Sequence, residues 1–258
     1  QEHSSAASDV YKRQKKMNKT ILVTGGALRI GSEIVTSFAK MGWDIILHYR
    51  NSSEEAKKIK KNLEGLYETE IFLVQGDLNV DEDVQNLIDI VNKNYKNLDA
   101  LVNNASSFYN TEIGNLTNAN WDDLVGNNLK APLFLINGLK DILMSASGSV
   151  INITDVNIDM GSPNYSIYTA AKGGLAAITK SLAKELAPNI TVNAVAPGAI
   201  LEPPGVTWDD DKIKEVIKNI PLNRMGNEKD IANAVRFLVC AKYITGQTIR
   251  VDGGKSLQ

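Results

Sequence analysis

The chain has 258 residues, 43% of them apolar and 22% charged, with 28 Lys and Arg against 30 Asp and Glu. Those proportions suit one large α/β domain, and a formal charge of −2 gives no general pull toward nucleic acid or an anionic membrane surface. A single cysteine, Cys240, and two histidines, His3 and His48, exclude an internal disulfide, a cysteine zinc site and a histidine-rich metal site.

Residues 1–16, "QEHSSAASDVYKRQKK", are polar and patternless and lack the apolar region of a secretory signal. They are read as a non-native or disordered extension, with residues 17–258 as a single nucleotide-binding domain. Short β-branched runs then alternate with helical patterns. Strands are predicted at 20–23, 44–49, 71–74, 98–103, 148–154, 190–195 and 247–251. Most are apolar without clean alternation, as in a parallel sheet covered on both faces. Helices are predicted at 32–41, 54–64, 120–144, 166–187, 210–219 and 228–239. Another carries the stripe Val84, Leu87, Ile88, Val91 and Tyr95. End-to-end alternation predicts a Rossmann-type doubly wound α/β fold, with ligands at the carboxyl ends of the strands. Cys240, in an apolar run, reads as a small buried hydrophobe. The stretch 199–208, "AILEPPGVTW", reads either as a loop covering a site or as a plain surface loop.

The turn "TGGALRIG" (24–31) follows a strand and opens a helix. Gly25 permits the tight turn, and Gly31 lets the helix start approach the strand and a pyrophosphate, which the helix dipole favours. Arg29 stands where a middle glycine is usual. Sites that prefer NAD carry an acid about 20 residues after the glycines. Here that region reads His48, Tyr49, Arg50, Asn51, Ser52, with no acid, and Arg50, Asn51 and Ser52 suit a 2′-phosphate. NADPH/NADP is therefore the expected cofactor. In "YTAAK", Tyr168 and Lys172 fall at i and i+4 on one helix face, where an ammonium favours the phenolate.

These motifs, with "GDL" at 76–78, "NNAS" at 103–106, "NAVAPG" at 193–198 and "ITGQTIRVDGG" at 244–254, make residues 19–258 resemble the short-chain dehydrogenase/reductase family. The resemblance implies that Tyr168 is the general acid and that Lys172 holds the nicotinamide ribose and lowers the tyrosine pKa. It places Asn128 at a proton-relaying water, Asp77 and Leu78 at adenine, and Asn104 and Ala105 along the cofactor. Ile30, Thr154, Pro197 and Gly198 complete the implied cofactor set. It also implies a homotetramer in which the helices around 120–144 and 166–187 pair, and cytoplasmic location is the default.

Most family members carry a serine thirteen residues before the tyrosine; this chain has Asp155. Together with Arg29 and "NNASSF" at 103–108, that makes the chain similar to the pteridine reductases, with dihydromonapterin reductases close by. An ionised carboxylate opposes the oxyanion of ketone reduction but suits a ring C=N, which needs a proton at nitrogen. The expected reaction is therefore reduction of a dihydropterin, with Asp155, Tyr168, Lys172 and Asn128 as the catalytic set. Arg29, Ser106, Phe108, Asp155 and Tyr168 would bind the substrate, and Arg29 and Ser106 would also touch the cofactor. Phe108 is read as stacking on the pterin or as loop packing, and Asp155 has a rival reading as a turn cap. Asn164 and Tyr165 either reach substrate or cap the helix; Trp208 either covers the pterin or anchors its loop. The competing functions are a 3-oxoacyl-thioester or other carbonyl reductase and, from another class, a non-catalytic nucleotide-binding protein.

Overall fold

In the computed structural model, which describes residues 18–202 and 207–257, seven strands form one parallel sheet. They are β1 (Thr20–Val23), β2 (Asp44–Tyr49), β3 (Ile71–Gln75), β4 (Ala100–Asn103), β5 (Ser149–Ile153), β6 (Thr191–Pro197) and β7 (Thr248–Val251). Their order is β3-β2-β1-β4-β5-β6-β7, so the winding reverses between β1 and β4. The predicted extension 1–16 lies outside the described residues, and the loop 199–208 is described only at its ends.

The connecting helices are α1 (Arg29–Ala39), α2 (Ser53–Leu66), α3 (Asp81–Asn94), α4 (Asn118–Val125), α5 (Ala131–Ser145), α6 (Asn157–Met160), α7 (Ser166–Glu185), α8 (Asp210–Lys218) and α9 (Glu228–Cys240). Neighbouring strand residues feed opposite faces of the sheet. Ile21 and Val23 pack with Ile34 and Phe38 of α1 and with Ile231 and Val235 of α9. Leu22 and Ile46 pack with Leu87 and Val91 of α3 and with Leu135 and Leu139 of α5. This is why the strands read as continuous apolar runs. No helix among the described residues is long and apolar enough to cross a membrane.

Three sequence expectations are revised. The helix expected over 120–144 is divided by a π-helical turn, Gly126–Lys130, before α5 starts at Ala131 with Pro132 in its first turn, which has no N–H to continue the ladder. A Cβ at Gly126 would lie 2.2 Å from Asn79 Oδ1, so this turn runs close to the segment after β3. The short helix α6 was not foreseen; at four residues it is too brief to show periodicity. Cys240 is exposed, because it shares a face of α9 with the exposed Arg236 and Phe237, while the core takes Val235, Leu238 and Val239.

A buried polar ladder fixes α7 to the sheet. Asn103 Nδ2 donates to Asn152 Oδ1 (2.8 Å), and Asn152 Nδ2 donates to Thr179 Oγ1 (2.9 Å). Asn152 and Thr179 are fully buried. Thr179→Val keeps the volume but leaves the Asn152 amide donor without a partner. The expected loss is about 1–3 kcal/mol in urea unfolding with an unchanged m-value.

Candidate active site

The carboxyl ends of β1, β2, β4, β5 and β6 open into one cleft of about 940 Å³. Of the predicted site residues, all line it except Asp77 and Asn128. The turn after β1 forms its floor. Gly25 has φ +62°, and a Cβ on Gly31 would meet Gly25 O at 2.1 Å, so both positions demand glycine. Arg29 takes the same left-handed region, at φ +52°, where an L side chain is strained by about 1–2 kcal/mol. Its guanidinium Nη2 donates to Glu202 O at 2.6 Å, tying the turn to the segment after β6.

Two side chains of the cleft lining, Asn104 and His48, also hold this turn. Asn104 Nδ2 donates to Thr24 O (2.9 Å) and Gly25 O (3.1 Å). His48 Nδ1 accepts from Gly25 N–H (3.3 Å), and its Nε2 faces Gly76 O at 3.1 Å. The imidazole thus links the ends of β1, β2 and β3. Burial pushes its pKa down to about 4, outweighing the Gly76 carbonyl and the charges of Asp77 and Asp83.

At the end of β2, Arg50, Asn51 and Ser52 face the cleft. Asp77 does not. Its Oδ1 accepts from Asn79 N–H (3.0 Å), capping the turn before α3, and its Oδ2 lies 3.7 Å from Arg50. A short polar residue two positions before a turn amide satisfies that amide, and this is the local role Asp77 takes. Leu78 supplies the apolar contact on that side.

On the other side, Asp155 and Tyr168 meet directly. The phenol donates to Asp155 Oδ2 at 2.8 Å, while Asp155 Oδ1 accepts from Asn157 N–H at 2.7 Å. The turn-cap and site readings of Asp155 are therefore both realised in one side chain. Burial raises the Asp155 pKa above the ordinary carboxylate value; the Asn157 amide, the Tyr168 phenol, Lys172 and Lys255 oppose that rise. Lys172 is buried, donates to Ile153 O at 2.8 Å, and is pushed down to about 8 by desolvation, which the Asp155 charge resists.

The expected lowering of the tyrosine by Lys172 is not found. Tyr168 is held well above its usual pKa, first by burial and then by the charge and hydrogen bond of Asp155. Lys172 Nζ is turned to the strand carbonyl, 5.8 Å from the phenol ring centroid. The phenol therefore carries its proton.

Asn128 sits one layer back. Its Oδ1 accepts from Ser106 Oγ (2.7 Å), and its Nδ2 is taken by Ser107 O and Leu124 O, both at 2.9 Å. Ser106 lines the cleft with Tyr168 and favours its phenolate, so Asn128 reaches the site through Ser106. Phe108 does line the cleft, but Tyr165 is stacked on it at 4.8 Å and 8°, leaving one face at most for a ligand. Tyr168 meets Phe108 edge-on, also at 4.8 Å. Tyr165 makes no side-chain cap at α7, and the Asn164 carbonyl accepts from Thr111 N–H at 2.6 Å, so that pair orders the loop beyond Phe108. Trp208 lines the cleft and its backbone N–H donates to Glu202 Oε1, so covering and anchoring coincide.

Sequence reasoning missed Lys255, Asp123 and Asn127 in the lining. Asp123 Oδ1 accepts from Ser107 Oγ (3.1 Å) and Asn127 Nδ2 (3.3 Å), anchoring the loop after β4. The charged side chain in "GGKSL" was the available signal for Lys255.

A sequence profile of the family described as enoyl-(acyl carrier protein) reductase matches residues 26–256. The 3-oxoacyl-(acyl-carrier-protein) reductase FabG of Staphylococcus epidermidis is 37% identical over 242 residues, 92% of this chain and 99% of its own. The uncharacterised oxidoreductase YmfI of Bacillus subtilis is 31% identical over a similar span. Among solved structures, FolM alternative dihydrofolate reductase 1 from Brucella canis, complexed with NADP, superimposes with a TM-score of 0.85. It is 33% identical, covering 94% of this chain and 96% of that one. Its Brucella suis counterpart, also with NADP, gives 0.83 at the same identity. The chain belongs to the short-chain dehydrogenase/reductase family.

His48 is neutral in the folded site but takes up a proton near pH 6.5 once the chain unfolds. Stability is therefore expected to be complete above that pH and to fall by up to about 3 kcal/mol as pH drops toward 4. His48→Gln removes this component, which urea titrations of both proteins at pH 7 and pH 5 would reveal.

Proposed function

We propose that this member of the short-chain dehydrogenase/reductase family is an NADPH-dependent reductase of dihydropterins, of the dihydrobiopterin, dihydromonapterin or dihydrofolate type. The observation that carries the reading is the 2.8 Å hydrogen bond from Tyr168 to a half-buried carboxyl group, Asp155, at the position where the family usually has serine. The NADP complexes of both structural relatives support the cofactor. So does the donor set of this cleft: a cation, an amide and a hydroxyl at Arg50, Asn51 and Ser52, with no lining carboxylate beside them, fit a phosphorylated ribose. Gly31 and Arg29 would face the pyrophosphate, and Lys172, Asn104 and Ala105 would lie along the nicotinamide half. NADPH, when bound, supplies the hydride.

The chain's own residues then have to place one proton. Tyr168 is protonated and its hydroxyl lies in the cleft, so its proton is available to a ring nitrogen that takes the place of Asp155 as its acceptor. Transfer of that proton would leave a phenolate, which Asp155 in its acid form neutralises by returning a proton to the phenol oxygen. The raised Asp155 pKa makes that acid form accessible at mildly acidic pH. The Ser106 hydroxyl favours the phenolate during the transfer. For a ketone substrate the same carboxylate would sit against the developing oxyanion and oppose it. The open face of Phe108 suits a flat heteroaromatic ring. For assembly we assign the homotetramer that the family reading implies, and half-exposed Trp121 of α4 and Phe134 of α5 support that choice.

The similarity to 3-oxoacyl-(acyl-carrier-protein) reductases favours a second reading, reduction of a 3-oxoacyl thioester. Purified protein would be mixed with NADPH and dihydrobiopterin, dihydromonapterin, dihydrofolate or acetoacetyl thioester, and NADPH loss followed between pH 5 and 8. Dihydropterin turnover is expected to be fastest on the acid side, falling as pH rises through the Asp155 titration. Asp155→Ser and Tyr168→Phe are each expected to lower it by about 10²–10⁴-fold. Turnover of the thioester alone would replace the pterin reading with the carbonyl one.

A further inference from the structure

Lys255 is a charged group of the cleft lining outside the glycine turn, the Arg50 end of β2 and the Asp155–Tyr168–Lys172 set. Lys255 lies on the C-terminal 3-10 turn Lys255–Leu257 and faces the same cleft as Asp155. Among the described residues its ammonium makes no hydrogen bond and no ion pair.

The turn that carries it is tied to the Asp155 segment by backbone. Val156 N–H donates to Pro197 O (3.2 Å), and Gly198 N–H donates to Val251 O (3.0 Å), so the chain after β5, the end of β6 and the end of β7 move together. Asp252 then caps the turn, its carboxylate accepting from Gly254 N–H (3.0 Å) and Ser256 N–H (2.8 Å). A Cβ on Gly198 would lie 2.6 Å from Asp252 Cβ, so the close approach depends on glycine there. On the outer side, Arg250 Nε of β7 donates to Asp159 Oδ2 of α6 at 3.0 Å. Asp155 and Lys255 therefore stand on elements held in fixed register.

We infer that Lys255 is a positioning residue for the reaction proposed above, its charge acting through Asp155 to set how firmly the Asp155–Tyr168 pair keeps its transferable proton. The chemistry rests on that proposed reaction; the electrostatics does not. Four groups favour the ionised form of Asp155: the Tyr168 phenol and the Lys172 ammonium from α7, the Asn157 N–H from α6, and Lys255 from the C-terminal turn. The phenol, the amide and Lys172 are each committed to a fixed hydrogen bond. Lys255 is the one whose removal leaves those bonds intact. It is also half-buried, so its charge is only partly screened by solvent.

The test follows the Asp155 carboxyl carbon by NMR through a pH titration of the unliganded protein, assigned by its loss in Asp155→Asn. Lys255→Met is expected to raise the midpoint by about half a unit or more, and Lys255→Arg to hold it at the wild-type value. A midpoint unmoved by Lys255→Met, or moved equally by Lys255→Arg, would overturn the inference. With dihydrobiopterin and NADPH, the alkaline fall in rate should move upward in Lys255→Met, making it about threefold faster than wild type on that flank. A midpoint that moves in a protein with no dihydropterin turnover would sustain the role of Lys255 and remove the proposed reaction.

Discussion

An ammonium group shut away from water has to be matched by what surrounds it, and the active end of this protein is arranged around the one on Lys172. Its partners are a strand carbonyl, Ile153 O, and a carboxylate two residues further along the chain. Both lie at the carboxyl edge of β5, so the lysine can be satisfied only if α7 crosses that edge in one register. The Asn103–Asn152–Thr179 ladder enforces that register from below. Tyr168, one helical turn earlier, is then delivered to Asp155 without any further device.

The same accommodation explains why an acid at position 155 is tolerated. A half-buried carboxylate placed alone would take up a proton more readily; here its charge is offset by the Lys172 ammonium, a phenol and an amide beside it and a second lysine in the same cleft. The charges come as a set, and a serine at this position would leave the two lysines with less to balance. The site is thus tuned toward holding and passing a proton, whereas stabilising an oxyanion calls for neutral donors.

How much of this was legible in the sequence depended on whether a residue's role was set locally. All seven strands could be read because burial on both faces leaves a run of apolar side chains, and the spacing from Asp155 to Tyr168 to Lys172 survives folding unchanged. Roles set by distant contacts were not legible. Phe108 reads as an open aromatic until Tyr165, far along the chain, is seen stacked on it. Helical periodicity runs straight through Gly126–Lys130, because one π turn displaces the stripe too little to notice. The pKa of Tyr168 was expected to follow its sequence neighbour Lys172, but burial and Asp155 dominate. Lys255 belongs to the site only because β7 lies beside β6 at the end of the sheet.

The position of Cys240 has a practical consequence. It closes α9, beside Val239, whose carbonyl accepts from Ser149 at the first residue of β5. That is the amino edge of the sheet, opposite the cleft. A thiol that is unique in the sequence and exposed at that edge is a ready attachment point. A maleimide dye or a surface tether placed there would mark or immobilise every molecule in one orientation, with the cleft facing outward.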